Sequence, residues 1–181
     1  MSKEYILTRR CFVKKTLYLA AGIVLAVPLE SIAMLTKQPM SFYHNHTGER
    51  LEINYSGLGC TSSTLKKLNY FLRDFRTGDV HPIDPALLNI LYGIQQKSGS
   101  NGVIEIISGY RSPATNKKLH SKNSGVAKQS LHMKGQALDF RLTGLKTRDL
   151  RDVAISLHQG GVGYYSKADF VHIDTGRHRT W

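Results

Sequence analysis

Two short segments in the last third of the chain alternate between apolar and polar residues, and this period of two predicts β-strands. In the segment QALDFRL, residues 136–142, the leucines and the phenylalanine share one face, and Asp139 lies on the other. In the segment DFVHID, residues 169–174, His172 lies between two apolar β-branched residues and also faces away from the apolar side. A sheet built from these strands buries one face, and the opposite face carries titratable side chains.

A third titratable residue, His132, precedes the first of these strands in the segment SLHMKGQALD. Gly135 allows the chain to turn sharply between this histidine and the strand. If the two strands lie close together, His132, Asp139 and His172 can converge, and two imidazoles with one carboxylate suit a zinc ion that keeps a fourth position for water. Simpler explanations remain open, because a histidine in a strand is commonly a hydrogen-bonded filler and Asp139 could pair with Arg141 or a lysine.

The order of elements along the chain predicts an α+β domain. Residues 41–55 alternate around a Thr47-Gly48 turn, which is typical of a β-hairpin. The other predicted elements are a helix over residues 63–76, a helix capped by Asp84, a strand over residues 103–107, a short helix near Pro113, a long polar loop over residues 121–135, a helix from Thr147 to His158 and a closing pair of strands over residues 160–165 and 169–174. Together they predict a single domain, a small antiparallel sheet with helices packed on one face.

The first 33 residues predict a targeting signal. Basic residues precede an apolar stretch from Leu17 to Pro28, and small residues after it form an A-x-A-like cleavage site. Within the string TRRCFVK, the adjacent Arg9 and Arg10 resemble a twin-arginine (Tat) signal. We therefore predict a signal peptide over residues 1–33 and a mature domain over residues 34–181. The alternative is an N-terminal membrane anchor that is never cut.

The net charge of the chain is strongly positive, with 25 lysines and arginines against 13 acidic residues. The first 33 residues contain five basic and two acidic residues. Without them the chain has 20 basic and 11 acidic residues, which gives a net charge of +9. This excess indicates an anionic partner. The sequence has no helix-turn-helix or stacking-aromatic signature, so nucleic acid is not expected. No stretch reaches the ~18 apolar residues of a membrane span, which argues against a polytopic membrane protein.

Three strings, SGYRS at 108–112, SLHMKGQALD at 130–139 and GGVGYY followed by FVHIDTG, carry a family resemblance. Together they resemble the zinc peptidases related to D-alanyl-D-alanine carboxypeptidases, VanX dipeptidases and the hedgehog signalling domain. The motif S-x-H-x-x-G-x-A-x-D of that group is matched in register by residues 130–139. Within the group the chain is most similar to the murein endopeptidases of the YcbK (MepK) type, over nearly its whole length. The resemblance implies a hedgehog/D-Ala-D-Ala peptidase-like fold.

The resemblance also implies roles for individual residues. It makes His132, Asp139 and His172 the zinc ligands, and it implies that Arg111 binds a substrate carboxylate or stabilises the tetrahedral oxyanion. The predicted function is a zinc-dependent murein endopeptidase, in which a water on the zinc attacks an amide in peptidoglycan stem peptides or crosslinks. The 3–3 links between diaminopimelate residues are one candidate bond.

Two carboxylates are candidates for the general base. VanX-like relatives place a glutamate three residues before the last histidine, and Asp169 has that spacing here. Ideal strand alternation places Asp169 on the face opposite His172, whereas Asp174 has the same parity as His172 but follows it. We predict Asp169 as the base and Asp174 as the second candidate. Asp174 could instead orient a ligand histidine.

The predicted setting is the periplasm, reached through the Tat translocon, with peptidoglycan as the anionic partner of a monomeric enzyme. Two alternatives stay open. One is a D-Ala-D-Ala-type carboxypeptidase or dipeptidase, and the other is an inactive murein-binding module of the same fold. Retention of all three implied zinc ligands argues against the inactive module.

Overall fold

A seven-stranded sheet organises the part of the chain that the computed structural model describes, residues 38–57, 59–122 and 125–181. The strands are β1 (Gln38–His44), β2 (Arg50–Tyr55), β3 (Ile104–Ser108), β4 (Ala137–Leu142), β5 (Gly161–Tyr165), β6 (Phe170–Asp174) and β7 (Arg179–Thr180). Their order across the sheet is β2-β1-β3-β4-β6-β5-β7. The predicted signal peptide, residues 1–33, lies outside the described residues.

Most neighbouring strands are antiparallel, and the predicted hairpin is formed by β1 and β2. The exceptions are the parallel pairs β1 with β3 and β5 with β7. Strand β7 lies beside β5 because both edges of β6 are already hydrogen-bonded, to β4 and to β5. The predicted α+β class is therefore confirmed, with two parallel pairs that the sequence pattern did not predict.

Four α-helices lie within the described residues: α1 (Ser62–Phe71), α2 (Ala86–Ser98), α3 (Pro113–Lys122) and α4 (Thr147–Ser156). Helix α1 ends at Phe71 rather than at residue 76, because the chain then turns back and the N–H groups of Thr77 and Gly78 donate to the carbonyl of Asp74. None of the helices in this part of the chain combines the length and the apolar character that a membrane span requires.

The hydrophobic core lies on one face of the sheet, where residues of α1, α2 and α4 pack against the strands. Alternate residues of the central strands are buried in this core, namely Ile104, Ile106, Leu138, Phe140, Val171 and Ile173. Because successive residues of a strand point to opposite faces, the positions between them belong to the other face. The alternation predicted for segments 136–142 and 169–174 is confirmed.

The segment predicted as a long loop over residues 121–135 is a loop only in part. Helix α3 extends to Lys122, and Leu131–Lys134 form a short 3-10 helix that ends at Gly135. Gly135 has φ of 65°, and a Cβ there would lie 2.1 Å from the carbonyl oxygen of Pro82. A glycine is required at this turn, which leads directly into β4.

Candidate metal centre

On the face opposite the core, a row of small and polar residues crosses four neighbouring strands. Asp139 in β4 pairs with His172 in β6, and His172 pairs with Gly163 in β5. On the other side, a register shift between Ile106 and Ser108 brings Ser108 opposite Asp139. Because directly opposed residues of antiparallel strands project from the same face, the register of the sheet brings Asp139 and His172 together.

Three donor atoms converge at this row. His172 Nδ1 lies 2.8 Å from Asp139 Oδ1. His132 Nε2 lies 3.3 Å from Asp139 Oδ2 and 3.3 Å from His172 Nδ1. All three residues are buried, and one ligand atom from each lies within 4.8 Å of the others. The structure thus brings together the three residues that were predicted as metal ligands.

His132 reaches the row from the short 3-10 helix that precedes β4. The hydroxyl of Ser130 caps this helix and accepts a hydrogen bond from the backbone N–H of His132 at 3.3 Å. On the imidazole, Nδ1 lies 2.8 Å from the carbonyl oxygen of Gly109. A carbonyl oxygen only accepts hydrogen bonds, so Nδ1 carries the proton and Nε2 keeps its lone pair for the row.

Asp174 orients the second histidine. The Nε2 of His172 donates to Asp174 Oδ2 at 3.1 Å, which leaves Nδ1 facing Asp139. The carboxylate of Asp174 is fully buried, and it also accepts hydrogen bonds from two backbone N–H groups and from the Arg179 guanidinium. These contacts match the orienting role that was one of the two predictions for Asp174.

The pKa values of the two histidines are shifted in opposite directions. Burial lowers the pKa of His132, and the nearby Asp139 offsets this only in part, so His132 is neutral near pH 7. Burial also opposes a charged His172, but hydrogen bonds to Asp139 and Asp174 outweigh it and raise the pKa of His172 to about 8. Burial acts to raise the pKa of Asp139, yet the two histidines hold it well below its usual range. The site therefore favours positive charge beside Asp139.

This donor set fits a zinc ion. Two imidazole nitrogens and a carboxylate oxygen are typical zinc ligands, and the second nitrogen of each histidine is held by a carbonyl or a carboxylate. A cleft of about 410 Å³ opens onto the three residues and leaves room for a further ligand. The cleft is also lined by Arg111, by the loop before the 3-10 helix and by the aromatic residues Tyr165, Phe170 and Trp181.

Arg111 lies in this cleft with spare hydrogen-bonding capacity. Its Nη2 is 3.4 Å from Ser108 Oγ and 3.4 Å from Asp139 Oδ2, which are long contacts. Its Nε is buried and has no hydrogen-bond partner among the described residues. The protein thus leaves part of the hydrogen-bonding capacity of this guanidinium unused.

Asp74, which the sequence did not single out, holds the loop that carries Arg111. Its buried carboxylate accepts hydrogen bonds from the backbone N–H groups of Ser112 at 2.9 Å and Arg76 at 3.0 Å. Burial acts to raise the pKa of Asp74, but hydrogen bonds from Thr115 and Ser112 outweigh it and lower the pKa. No local pattern links Asp74 to a loop that follows it by 38 residues.

Asp169 is the predicted site residue that the structure does not bring to the cluster. It has φ of 53° at the turn before β6. Its Oδ1 accepts a hydrogen bond from Thr147 Oγ1 at 2.6 Å, and its Oδ2 lies 3.8 Å from Arg141 Nη1. With these residues it lines a separate cavity of about 390 Å³. The left-handed turn carries the carboxylate toward α4, so the spacing of Asp169 from His172 does not place it at the candidate metal ligands.

We expect Asp74→Asn to lower the free energy of unfolding by about 1–3 kcal/mol at pH 7, because buried N–H groups lose a charged acceptor. The contribution of Asp74 is complete above the ordinary aspartate pKa of about 3.9 and is lost as pH falls through its lower folded-state pKa. The difference between the variant and the unsubstituted protein should therefore shrink below about pH 3.9. Urea unfolding of both proteins, at pH 7 and again below about pH 3.9, measures this difference in the free energy of unfolding.

The matched control is Asp79→Asn, an exposed carboxylate in the same turn, which should change stability by less than about 0.5 kcal/mol. Equal stability of the Asp74 variant and the unsubstituted protein at pH 7 would contradict the anchoring role of Asp74.

Comparison with known proteins identifies the family of this chain. The family model described as peptidoglycan L,D-endopeptidase MepK matches residues 33–181. The chain is 40% identical to the peptidoglycan L,D-endopeptidase MepK of Escherichia coli (strain K12), over 93% of this chain and 96% of that protein. It is 44% identical to the probable peptidoglycan L,D-endopeptidase MepK of Haemophilus influenzae, over 88% and 90% of the two chains. The resemblance and the prediction of a peptidase are confirmed, and the chain belongs to the MepK family of peptidoglycan L,D-endopeptidases.

Proposed function

We propose that this protein is a zinc-dependent murein endopeptidase that hydrolyses amide bonds in peptidoglycan stem peptides or crosslinks. The observation that carries the proposal is the meeting of His132 Nε2, His172 Nδ1 and the Asp139 carboxylate in an open cleft. Family membership supports it, because the relatives are named as peptidoglycan L,D-endopeptidases. The 3–3 link between diaminopimelate residues is the first bond to test.

Zinc bound by these three residues would activate water for attack on the amide and polarise the amide carbonyl. Hydrogen bonds within the protein orient the two histidine ligands. The Gly109 carbonyl fixes the tautomer of His132, and Asp174 fixes that of His172. Arg179 contacts Asp174 at 2.6 Å and stabilises its ionised form, so the orientation of His172 is supported by an ion pair behind it.

Arg111 provides the positive charge on the substrate side of the site. In hydrolysis of an amide, negative charge develops on the carbonyl oxygen, and stem peptides also carry free carboxylates. The Arg111 guanidinium lines the cleft beside Asp139, and its Nε has no hydrogen-bond partner among the described residues. We assign it to stabilising the oxyanion or binding a substrate carboxylate.

The contacts of Asp174 and Asp169 limit which residue can be assigned to proton transfer. Asp174 has both oxygens engaged by His172, Arg179 and backbone N–H groups, so we assign it to orienting His172. Asp169 is held by Thr147 and lines a different cavity, so the proposal gives it no part in the reaction. This revises the prediction from sequence, which placed Asp169 first.

The proposal includes export to the periplasm as a monomer, with residues 1–33 as a Tat signal peptide and residues 34–181 as the metallopeptidase domain. Support for export comes from the Arg9-Arg10 pair before an apolar stretch. The names of the relatives support it too, because they give peptidoglycan as the substrate. The net charge of +9 on residues 34–181 suits a polymer that carries carboxylates.

Purified protein should contain stoichiometric zinc and release cleaved crosslinks from defined muropeptides. A chelator should abolish this activity, and added zinc should restore it. His172→Ala should lose both zinc and activity, whereas His158→Ala, an exposed histidine outside the cleft, should keep both. Metal analysis and chromatography of the products measure these effects.

The product pattern separates the proposal from its alternatives. Release of terminal D-alanine without cleavage of crosslinks would indicate a carboxypeptidase. Binding to murein sacculi without any cleavage would indicate an inactive binding module. Identical products from the His172→Ala variant and the unsubstituted protein would exclude the metal mechanism.

Arg111→Ala should lower kcat/KM by about 10²–10³, the usual effect of losing one oxyanion donor, while zinc content stays unchanged. Arg111→Lys should recover part of this loss because it keeps the charge without the planar fork. The control is Arg148→Ala, an exposed arginine outside the cleft, which should behave like the unsubstituted protein. Unchanged kinetics in Arg111→Ala would remove Arg111 from the mechanism.

Replacing both Arg9 and Arg10 by lysine should retain the charge but prevent recognition by the Tat translocon. The variant should then accumulate in the cytoplasm, and cell fractionation with immunoblotting should show its loss from the periplasmic fraction. Lys15→Arg, which preserves charge just outside the TRRCFVK string, is the control for general effects on the signal. Normal export of the double variant would contradict the Tat assignment.

A further inference from the structure

Trp181 is an exposed aromatic residue on the wall of the cleft that contains the candidate metal centre. Half of its surface is accessible, at 50% exposure, and it lines the cleft together with His132, Asp139 and His172. The centroids of the Trp181 and His172 rings are 5.3 Å apart. A large ring left accessible beside buried polar residues is typical of a binding surface rather than of core packing.

The indole is held in one position by contacts from the protein. The backbone N–H of Trp181 donates to the carbonyl of Val162 at 3.3 Å, and its carbonyl accepts from the N–H of Tyr164 at 3.0 Å. Its Nε1 donates to the Tyr165 hydroxyl at 3.0 Å, and the Arg179 guanidinium lies 4.8 Å from the ring centroid. A ring fixed in this way loses little conformational entropy when a ligand packs on it.

Gly163 provides the space for this ring. A Cβ at Gly163 would lie 2.6 Å from Cε2, 2.7 Å from Cζ2 and 2.8 Å from Nε1 of Trp181. Gly163 is also the β5 residue paired with His172. The indole therefore lies over Gly163, the position next to His172 in the row, on the strand beyond the donor atoms.

Two more rings enlarge this apolar surface. Tyr165 and Phe170 stack with centroids 4.5 Å apart and an interplanar angle of 17°, and both line the cleft. The hydrogen bond from the indole N–H to Tyr165 connects them to Trp181. We call these three residues the aromatic wall. Its apolar character contrasts with the cationic group that Arg111 contributes to the same cleft.

We propose that the aromatic wall binds the aliphatic part of the stem-peptide residue next to the scissile amide, with Trp181 as the specificity-determining residue. This inference rests on the proposed function and deepens it. An indole can also stack on a sugar ring. However, Trp181 adjoins His172, and an amide that reacts at the metal ligands must bring its own flanking residues to that distance. The peptide is therefore the occupant that the geometry favours.

Steady-state kinetics on a sugar-free crosslinked stem peptide test the inference. Trp181→Ala should raise KM at least about tenfold, with a much smaller change in kcat, because it removes packing that substrate and transition state share. Trp181→Phe should recover much of the affinity. The control is Tyr70→Ala, which removes an aromatic ring of 56% exposure outside the cleft and should leave both constants unchanged.

Gly163→Ala provides a second test that keeps the tryptophan. The added methyl group would displace the indole, so KM should rise as in Trp181→Ala while zinc content and circular dichroism stay unchanged. Trp181 is also the single tryptophan of the chain, so fluorescence reports on it alone. A crosslinked peptide with a non-hydrolysable methylene-amine in place of the amide should shift the emission of the unsubstituted protein.

The outcomes separate this inference from the function on which it rests. Normal KM in Trp181→Ala and Gly163→Ala, with active unsubstituted protein, would overturn the role of the wall and leave the proposed function intact. A rise in KM only for substrates that carry sugars would assign the wall to the glycan and overturn the peptide assignment. Failure of the unsubstituted protein to cleave any stem peptide would overturn the proposed function itself. If Trp181→Ala is unfolded, Trp181→Phe, Gly163→Ala and the emission shift decide.

Discussion

The pairing of Asp139 with His172 across β4 and β6 is the constraint on which the site depends. This register is enforced from the opposite face, where Leu138, Phe140 and Ile173 are buried in the core. A slip of one residue would move the buried apolar side chains to the polar face and the side chains of the candidate metal centre into the core. The free energy of apolar burial thus determines which donor atoms meet, although the core touches none of them.

A buried cluster of charged and titratable groups is unfavourable unless its members satisfy one another. Here the second nitrogen of each histidine has a specific partner, Gly109 for His132 and Asp174 for His172, and Arg179 lies behind Asp174. These contacts orient both imidazoles toward Asp139. The same network engages both oxygens of Asp174, one of the two carboxylates that the sequence offers as a general base.

Much of the fold and the core of the site could be predicted from residue patterns. Alternation identified the strands that carry Asp139 and His172, and His132 was singled out in the segment that leads into the first of them. The spacing of Asp169 from His172 did not predict where its carboxylate lies, because a left-handed turn directs it to Thr147. Asp74 was missed because its role depends on contacts with the Arg111 loop, 38 residues further along the chain, which no local pattern contains.

The sequence alone determined the residue types available for chemistry and the face of each strand on which they lie, because side-chain direction in a strand follows from the period of the backbone. Tertiary structure decided which of them meet. The strand register, the register shift before Ser108 and the return of β7 beside β5 bring groups from distant segments into one cleft. Such proximity arises from packing and hydrogen bonding between strands, which depend on the whole sheet rather than on any single segment.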